Sequence, residues 1–356
     1  MLRNGNSWPW HRLICLNEAM GLITRVAGTG TAGNSGDEGP ATDAELNSPT
    51  SVAATADGGF LIADSANNLV RKVSSAGVIT RVAGTGTAGN SGDEGPATDA
   101  ELNGPTSVAA TADGGFLIAD FLNNVVRKVS SAGVISRVAG TGTAGNSGDD
   151  GPATFAELFR PTSVAATADG GFLIADVENH EVRKVSSAGV ITRVAGTGTG
   201  GNSGDDGPAT DAELNSPTSV AATADGGFLI ADTLSNVVRK VSSAGVITRV
   251  AGTGTAGNSG DDGPATVAEL SFPRGLAATA DGGFLIAGSG NVVRKVSSAG
   301  VITRVAGTGT QGNSGDDGPA TVAELNDPLG VAATADGGFL IADTENNEVR
   351  KVAPNE

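Results

Sequence analysis

The hexapeptide Val-Ala-Gly-Thr-Gly-Thr occurs six times, and most of the residues between its copies recur as well. The first glycines of successive copies are separated by 56, 56, 56, 56 and 55 residues. A period this regular predicts a repeat architecture, in which a single unit has no core of its own and all copies share one assembly. The length of 356 residues therefore does not indicate two or three separate domains.

One repeat contains four short segments that are typical of β-strands, at residues 49–55, 60–63, 69–73 and 78–83. They are rich in β-branched and apolar residues, and each ends at a Gly-, Asn- or Ser-rich turn. Four short strands joined by tight turns predict an antiparallel meander. Meanders repeated radially are the blades of a β-propeller. The sequence thus predicts an all-β fold, a six-bladed β-propeller with four antiparallel strands per blade.

The two ends of the repeat array are complementary. Residues 22–27 match a fourth strand before any complete blade, and the last repeat stops without its fourth strand. We expect residues 22–27 to complete the last blade and to close the ring, which removes exposed sheet edges. Residues 1–20 match no repeat and are expected to be a disordered leader. The predicted single propeller covers residues 21–353, with blade cores at about 49–83, 105–139, 161–195, 217–251, 273–306 and 328–353 plus 22–27.

Four motifs recur in the repeats: Pro-Thr-Ser-Val-Ala, Asp-Gly-Gly-Phe-Leu-Ile-Ala-Asp, an Asn-Asn pair and Val-Arg-Lys-Val. Over residues 21–353 they resemble the motifs of the NHL-repeat family, in the form common in bacterial proteins. This resemblance implies a six-bladed propeller that is used mainly for binding. Some six-bladed relatives are enzymes, including lyases and lactone hydrolases with a metal in the central channel. The fold alone does not identify a ligand.

The formal charge of −17 is distributed evenly, because residues 77–132 alone carry three basic and six acidic side chains. Such a surface disfavours a nucleic-acid partner. No apolar run approaches the roughly 18 residues needed to span a membrane, and no signal peptide is recognisable. Cys15 is the only cysteine, so no intramolecular disulfide forms. We expect a soluble monomer whose compartment stays open.

The repeats differ from one another mainly in the second turn and at the end of the long inter-blade loop. Both segments are expected on one face of the propeller, which we interpret as the working face. Substitutions at the junction of the second and third blades place apolar side chains beside charges, as in a protein-binding site. The candidate residues are Phe121, Leu122, Phe155, Phe159, Arg160 and Glu178. The alternative is drift after duplication, with the rings packed between blades.

An acidic Asn-Ser-Gly-Asp loop recurs in every repeat, and its carboxylates are weak candidates for Ca²⁺ ligands. The candidate aspartates are Asp37, Asp93, Asp149, Asp205, Asp261 and Asp316. The alternative is turn chemistry, in which they accept backbone N–H groups, and no other cofactor is expected. Asp64 and its equivalents are expected to stabilise turns, and the fifth blade, with Gly288 instead, is expected to be the weakest. Arg71 and its equivalents are expected in solvated ion pairs on the outer part of each blade.

A His-ligated metal site cannot be assembled, because the only histidines are His11 in the leader and His180 in one turn. The inner strands read close to Ser-Val-Ala-Ala-Thr in all blades, so the central channel is expected to be uniform and unsuited to catalysis. We therefore interpret the chain as a non-catalytic binding scaffold that recognises a protein, peptide or glycan through its loop-rich face. The alternative is a propeller hydrolase or lyase with a carboxylate-bound divalent cation.

Overall fold

The computed structural model describes residues 21–354, which form six antiparallel sheets arranged as the blades of a propeller. The predicted leader, residues 1–20, lies outside the described residues. The inner strands, next to the central channel, are Pro49–Ala54, Pro105–Ala110, Pro161–Ala166, Pro217–Ala222, Pro273–Ala278 and Pro328–Ala333. The second strands are Phe60–Asp64, Phe116–Asp120, Phe172–Asp176, Phe228–Asp232, Phe284–Gly288 and Phe339–Asp343.

The outer half of each blade has two further strands. The third strands are Leu69–Val73, Val125–Val129, Glu181–Val185, Val237–Val241, Val292–Val296 and Glu348–Val352. The fourth strands are Ile79–Ala83, Ile135–Ala139, Ile191–Ala195, Ile247–Ala251, Val301–Ala306 and, in the last blade, Leu22–Ala27. The six-bladed fold with four antiparallel strands per blade is therefore confirmed.

The core lies between neighbouring blades rather than within one blade. The second strand is buried on both faces, because its alternate side chains point to opposite neighbours. Between the first two blades, Leu61 and Ala63 pack against Val108, Phe116 and other residues of the next blade. Full burial of a Leu, Ile or Phe side chain contributes about 1.5–3 kcal/mol. The blades are therefore stable only as neighbours, as the repeat pattern predicts.

The chain closes the ring as predicted. The N-terminal strand Leu22–Ala27 pairs with the third strand of the last blade, with Ile23 opposite Val352 and Arg25 opposite Arg350. Ala27 also joins the core between the last and first blades. The first and last described segments are thus held in one sheet.

The long inter-blade loops are ordered and cover the outer edge of the blades. Each contains a single 3₁₀ turn: Ala41–Asp43, Ala97–Asp99, Ala153–Phe155, Ala209–Asp211, Ala265–Val267 and Ala320–Val322. Just before this turn the loop hydrogen-bonds to the fourth strand; in the first blade the Glu38 N–H donates to the Ile79 carbonyl at 2.8 Å. At the last two blades this segment forms a short fifth strand, Gly263–Pro264 and Gly318–Pro319. The covered edges have few unpaired backbone groups to pair with another chain.

The turn between the second and third strands lies beside the end of the long loop, as predicted. This turn is a 3₁₀ turn in five blades: Ser65–Asn67, Phe121–Asn123, Val177–Asn179, Thr233–Ser235 and Thr344–Asn346. The Ala66 N–H donates to the Asn47 carbonyl, and the Ser48 N–H donates to Asn347 Oδ1 of the neighbouring blade. We call the surface formed by residues 47–48, 65–68 and their equivalents the loop face. In the described part of the chain, no helix is long and apolar enough to cross a membrane.

Candidate functional site

A network of charged side chains, most of them buried, connects the loop face to the blades. Asp64 is fully buried at the end of the second strand, where it accepts hydrogen bonds from the Asn47 N–H at 2.7 Å and from Asn67 Nδ2 at 2.8 Å. Arg71 Nη1 lies 3.6 Å from Asp64 Oδ2, and Arg71 Nη2 lies 2.9 Å from Asp37 Oδ1 of the long loop. Burial raises the pKa of Asp64 to about 6, against the opposing effect of these hydrogen bonds and of Arg71.

Arg71 is completely buried, so the prediction that it lies in a solvated ion pair was wrong. The long loop folds over the third strand and encloses the guanidinium, which also donates to the Glu45 and Ser35 carbonyls at 2.5 and 3.1 Å. The same contacts recur at Arg127, Arg183, Arg239, Arg294 and Arg350. Asp64 stabilises the turn as predicted, and it also lies beside this buried cation.

The six candidate calcium ligands each have a protein cation as partner. Asp37, Asp93, Asp149, Asp205, Asp261 and Asp316 lie 2.7–2.9 Å from a buried arginine. Within residues 21–354, no group of three or more His, Cys, Asp or Glu side chains is arranged to hold a metal ion. The aspartates act as counter-ions of the arginines, a role that the sequence analysis did not assign to them.

Four of the six candidate partner-binding residues form one cluster on the loop face. The guanidinium of Arg160 lies over the ring of Phe121 at 5.6 Å and over that of Phe159 at 6.0 Å, and Nη1 lies 3.4 Å from Glu178 Oε1. We call Phe121, Phe159, Arg160 and Glu178 the aromatic cluster. A guanidinium within about 6 Å of a ring centre is in cation–π contact. Both rings are only half-buried, so the cluster is accessible.

The other two candidates flank the cluster differently. Leu122 follows Phe121 in the same turn and is 49% exposed. Phe155 ends the 3₁₀ turn Ala153–Phe155, which packs against the fourth strand of the preceding blade, and it is 74% exposed. The structure therefore places Phe155 on the loop at the blade junction without a ring contact to the aromatic cluster, whereas the sequence analysis grouped all four apolar residues together.

His180 has a structural role. It occupies the left-handed position that Asn68 occupies in the first blade, with φ of 54° at both residues. Its Nδ1 accepts the Ser216 N–H at 3.1 Å, as Asn68 Oδ1 accepts the Gly104 N–H. Gly200 stands where four other repeats have alanine, and a Cβ there would lie 3.2 Å from the imidazole. His180 thus replaces an asparagine in a turn.

The third and sixth blades contain a buried glutamate that the sequence analysis missed. Glu181 and Glu348 stand where Leu69 stands in the first blade, and they are 3% exposed. Glu181 Oε1 accepts Asn146 Nδ2 at 3.4 Å and lies 3.8 Å from Arg193 Nε. Burial raises the pKa of both glutamates.

The prediction of a uniform central channel was wrong, because the inner strands differ at the lining positions. The channel contains a cavity of about 200 Å³ that is lined by three residues from each inner strand. At the first lining position, four blades have threonine, but the fifth and sixth have Arg274 and Leu329. We call this set the channel ring: Thr50, Thr106, Thr162, Thr218, Arg274 and Leu329. Comparing the residue after the inner-strand proline across the six repeats reveals this difference from sequence alone.

Comparison with known proteins agrees with this architecture. Residues 160–185 and 325–352 match the family model of the NHL repeat. Mouse teneurin-4 is 29% identical over 222 residues, a match that covers 55% of this chain but only 8% of teneurin-4.

Several solved structures have a similar fold. A protein of unknown function from Bacteroides thetaiotaomicron has a TM-score of 0.69 at 18% identity, over 93% of this chain and 75% of that one. An auxiliary nutrient binding protein from the same organism has a TM-score of 0.67 at 14% identity, over 94% and 76%. Virginiamycin B lyase from Staphylococcus aureus has a TM-score of 0.51 at 12% identity, over 86% and 95%. At these identities the similarity shows the fold alone. The chain is a six-bladed β-propeller in which residues 160–185 and 325–352 match the NHL repeat.

Proposed function

We propose that the chain is a non-catalytic binding module that recognises a protein, peptide or glycan through its loop face. The observation that carries this proposal is the aromatic cluster. The first blade has Ser65, Asn47 and Ser48 where the cluster has Phe121, Phe159 and Arg160. Aromatic residues and arginine dominate the binding energy of many protein interfaces. Here they replace small polar residues at accessible positions.

The geometry of the cluster supports a contact role. The Arg160 guanidinium lies over two rings and is paired with Glu178, and these contacts restrict its orientation before a partner arrives. Preorganised side chains lose less entropy on binding than mobile ones. Leu122 adds an exposed apolar side chain next to Phe121, and Phe155 is a further exposed ring on the loop at the same blade junction. An accessible apolar area with a charged rim favours a partner that has apolar groups, such as a peptide side chain or a sugar face.

The alternative enzyme with a carboxylate-bound cation has less support. The six loop aspartates that would supply oxygen ligands are paired with buried arginines. No carboxylate or imidazole is among the residues that line the channel cavity in the described part of the chain. The similarity to virginiamycin B lyase extends to the fold only.

The test replaces the six candidate residues with the residues that the first blade has at the same positions. A loop-face variant has Phe121→Ser, Leu122→Ala, Phe155→Asp, Phe159→Asn, Arg160→Ser and Glu178→Ala, each of which is the residue of the first blade at that position. The control variant, Lys128→Gln with Lys184→Gln, changes the opposite face. Affinity capture from native lysate and binding to a glycan array are compared for the intact chain and both variants.

We expect the loop-face variant to lose the partners that the intact chain and the control retain, with or without a chelator. Circular dichroism and melting of all three proteins verify that the fold is preserved. Identical partners for the intact chain and the loop-face variant would contradict the proposal. Loss of binding on chelation would favour the cation-dependent alternative.

A further inference from the structure

The channel ring is regular over four blades and then changes. Thr50 Oγ1 donates to the Thr106 carbonyl at 2.9 Å, and Thr106 Oγ1 donates to the Thr162 carbonyl at 3.0 Å. Thr218 Oγ1 donates to the Arg274 carbonyl at 3.4 Å, so three of the four threonine hydroxyls bind one inner strand to the next, whereas Thr162 Oγ1 donates to the Ala175 carbonyl of its own blade. Arg274 and Leu329 have no hydroxyl and cannot continue this pattern. Their side chains are therefore not required for joining the blades at the ring.

The second layer of the cavity changes in the same two blades. Ser107 and Ser163 accept the backbone N–H of the following inner strand, from Val164 and Val220. The fifth and sixth blades have Gly275 and Gly330 at this position. A Cβ on Gly275 would lie 2.4 Å from the Leu329 carbonyl oxygen, and one on Gly330 would lie 2.7 Å from the Thr50 carbonyl oxygen. The neighbouring inner strand thus comes too close for a serine at these two positions.

The Arg274 side chain has no partner among the residues that the structure describes. It is exposed and lines the channel cavity, and among the described residues that line this cavity it is the only one with a charged side chain. The buried arginines pair with carboxylates, and Arg160 pairs with Glu178. Across residues 21–354, by contrast, the Arg274 guanidinium has neither an ion pair nor a hydrogen bond. In a chain with a net charge of −17, an unpaired cation facing a cavity is a site for an anion.

We propose that the mouth of the central channel binds a short aliphatic carboxylate, with Arg274 on the carboxylate and Leu329 against the carbon chain. A guanidinium fork matches the two oxygens of a carboxylate. A single cation balances a monoanion but not a phosphate dianion. Leu329 adjoins Arg274 in the ring and offers apolar contact, which inorganic phosphate does not use.

The size of the cavity agrees with a small ligand. Its volume of about 200 Å³ is below the roughly 300–1,000 Å³ of pockets for drug-sized molecules. Leu276 and Val331, two residues after Arg274 and Leu329 on the same inner strands, also line the cavity and are apolar. This inference goes beyond the proposed partner recognition, because it concerns a small molecule and residues outside the aromatic cluster.

The test is a titration of the full chain with pentanoate, followed by isothermal calorimetry and ligand-observed NMR. Pentanamide, acetate and inorganic phosphate are titrated in parallel. Arg274→Thr and Leu329→Thr introduce the residue of the first four blades, so both variants keep a side chain that the ring already accommodates. The loop-face variant serves as a control that leaves the channel unchanged.

We expect pentanoate to bind the intact chain and the loop-face variant alike, and to bind Arg274→Thr about 10- to 100-fold more weakly, the effect of losing one charge-assisted contact. Pentanamide and phosphate should not compete. Leu329→Thr should abolish the preference for pentanoate over acetate. Absence of pentanoate binding, equal binding by Arg274→Thr, or competition by phosphate would overturn this inference. None of those results would change the outcome of the capture experiment, so the two proposals fail separately.

Discussion

The interior of the blades and the loop face are built from the same six repeats, but they tolerate change very differently. The buried arginine and its loop aspartate are present in every blade, and the turn aspartate is present in five. The loop face has serine, phenylalanine, valine or threonine at the position of Ser65. A change in the interior leaves a buried charge without a partner, whereas a change at an exposed loop-face residue such as Arg160 leaves no buried charge unpaired. The repeated residues therefore account for the fold, and the proposed recognition is assigned to the residues that differ between blades.

The buried network should show the largest effect of a single substitution. Arg127→Met leaves the buried Asp120 without its cation, and removal of one partner of a buried pair costs about 3–5 kcal/mol. Arg294→Met should cost less, because its blade has Gly288 in place of that aspartate and Asp261 is partly solvated. Urea unfolding of the two variants measures the difference. Equal losses would show that the buried aspartate is not the source of the cost.

The buried aspartates also predict how stability depends on pH. Burial raises the pKa of Asp120 to about 6 and of Asp176 to about 7, from 3.8. Between pH 4 and 7 the folded chain then binds more protons than the unfolded chain, so the free energy of unfolding should rise as the pH falls from 8 to 5. Urea unfolding at pH 8, 6.5 and 5 measures the slope. The loop-face variant should have the same slope, and a slope of opposite sign would refute this assignment of pKa values.

The fifth blade tests whether the interior is uniformly stable. It lacks the aspartate, has a shorter turn and has a small, partly open pocket of about 20 Å³ lined by Gly288 and Arg294. A Cβ on Gly288 would lie 2.5 Å from the Phe272 carbonyl oxygen, so the aspartate cannot simply be restored. We expect the amides of the strand Val292–Val296 to exchange faster than those of Val237–Val241. Equal protection in hydrogen exchange would show that the blades open only together.

The loop face should show the smallest effect on stability. The six substitutions of the loop-face variant remove exposed or half-buried side chains and introduce residues that the first blade already contains. Surface substitutions usually change stability by less than about 0.5 kcal/mol each. A melting temperature close to that of the intact chain is therefore expected. A strong destabilisation would mean that the aromatic cluster acts in packing between blades.

The sequence was sufficient for most of the fold because the contacts within a blade are local and recur six times. Strand positions and the ring closure by Leu22–Ala27 were predicted correctly. The burial of Arg71 was not, because it depends on Asp37, which lies 34 residues away along the chain. No strand pattern shows that the loop folds back over that side chain.

The candidate sites were less predictable. The sequence indicated which face varies between repeats but not that Phe155 stands without a ring contact to the aromatic cluster. Arg274 was visible in the sequence and was missed, because the inner strands were compared as a pattern of small residues rather than position by position. A position-by-position comparison of the inner strands identifies Arg274 as different, and only the structure shows that Arg274 lines a cavity.

Footprinting of the chain with a captured partner tests most directly whether the loop face is where recognition occurs. All six lysines pair with aspartates of the turns between inner and second strands, at Asp57, Asp113, Asp169, Asp225, Asp281 and Asp336, and so report on the opposite face. Hydroxyl radicals report on the aromatic cluster. We predict that binding protects Phe121, Leu122 and Phe159 from oxidation and leaves lysine acylation unchanged. Protection of the lysines with unchanged oxidation of the aromatic cluster would contradict the account.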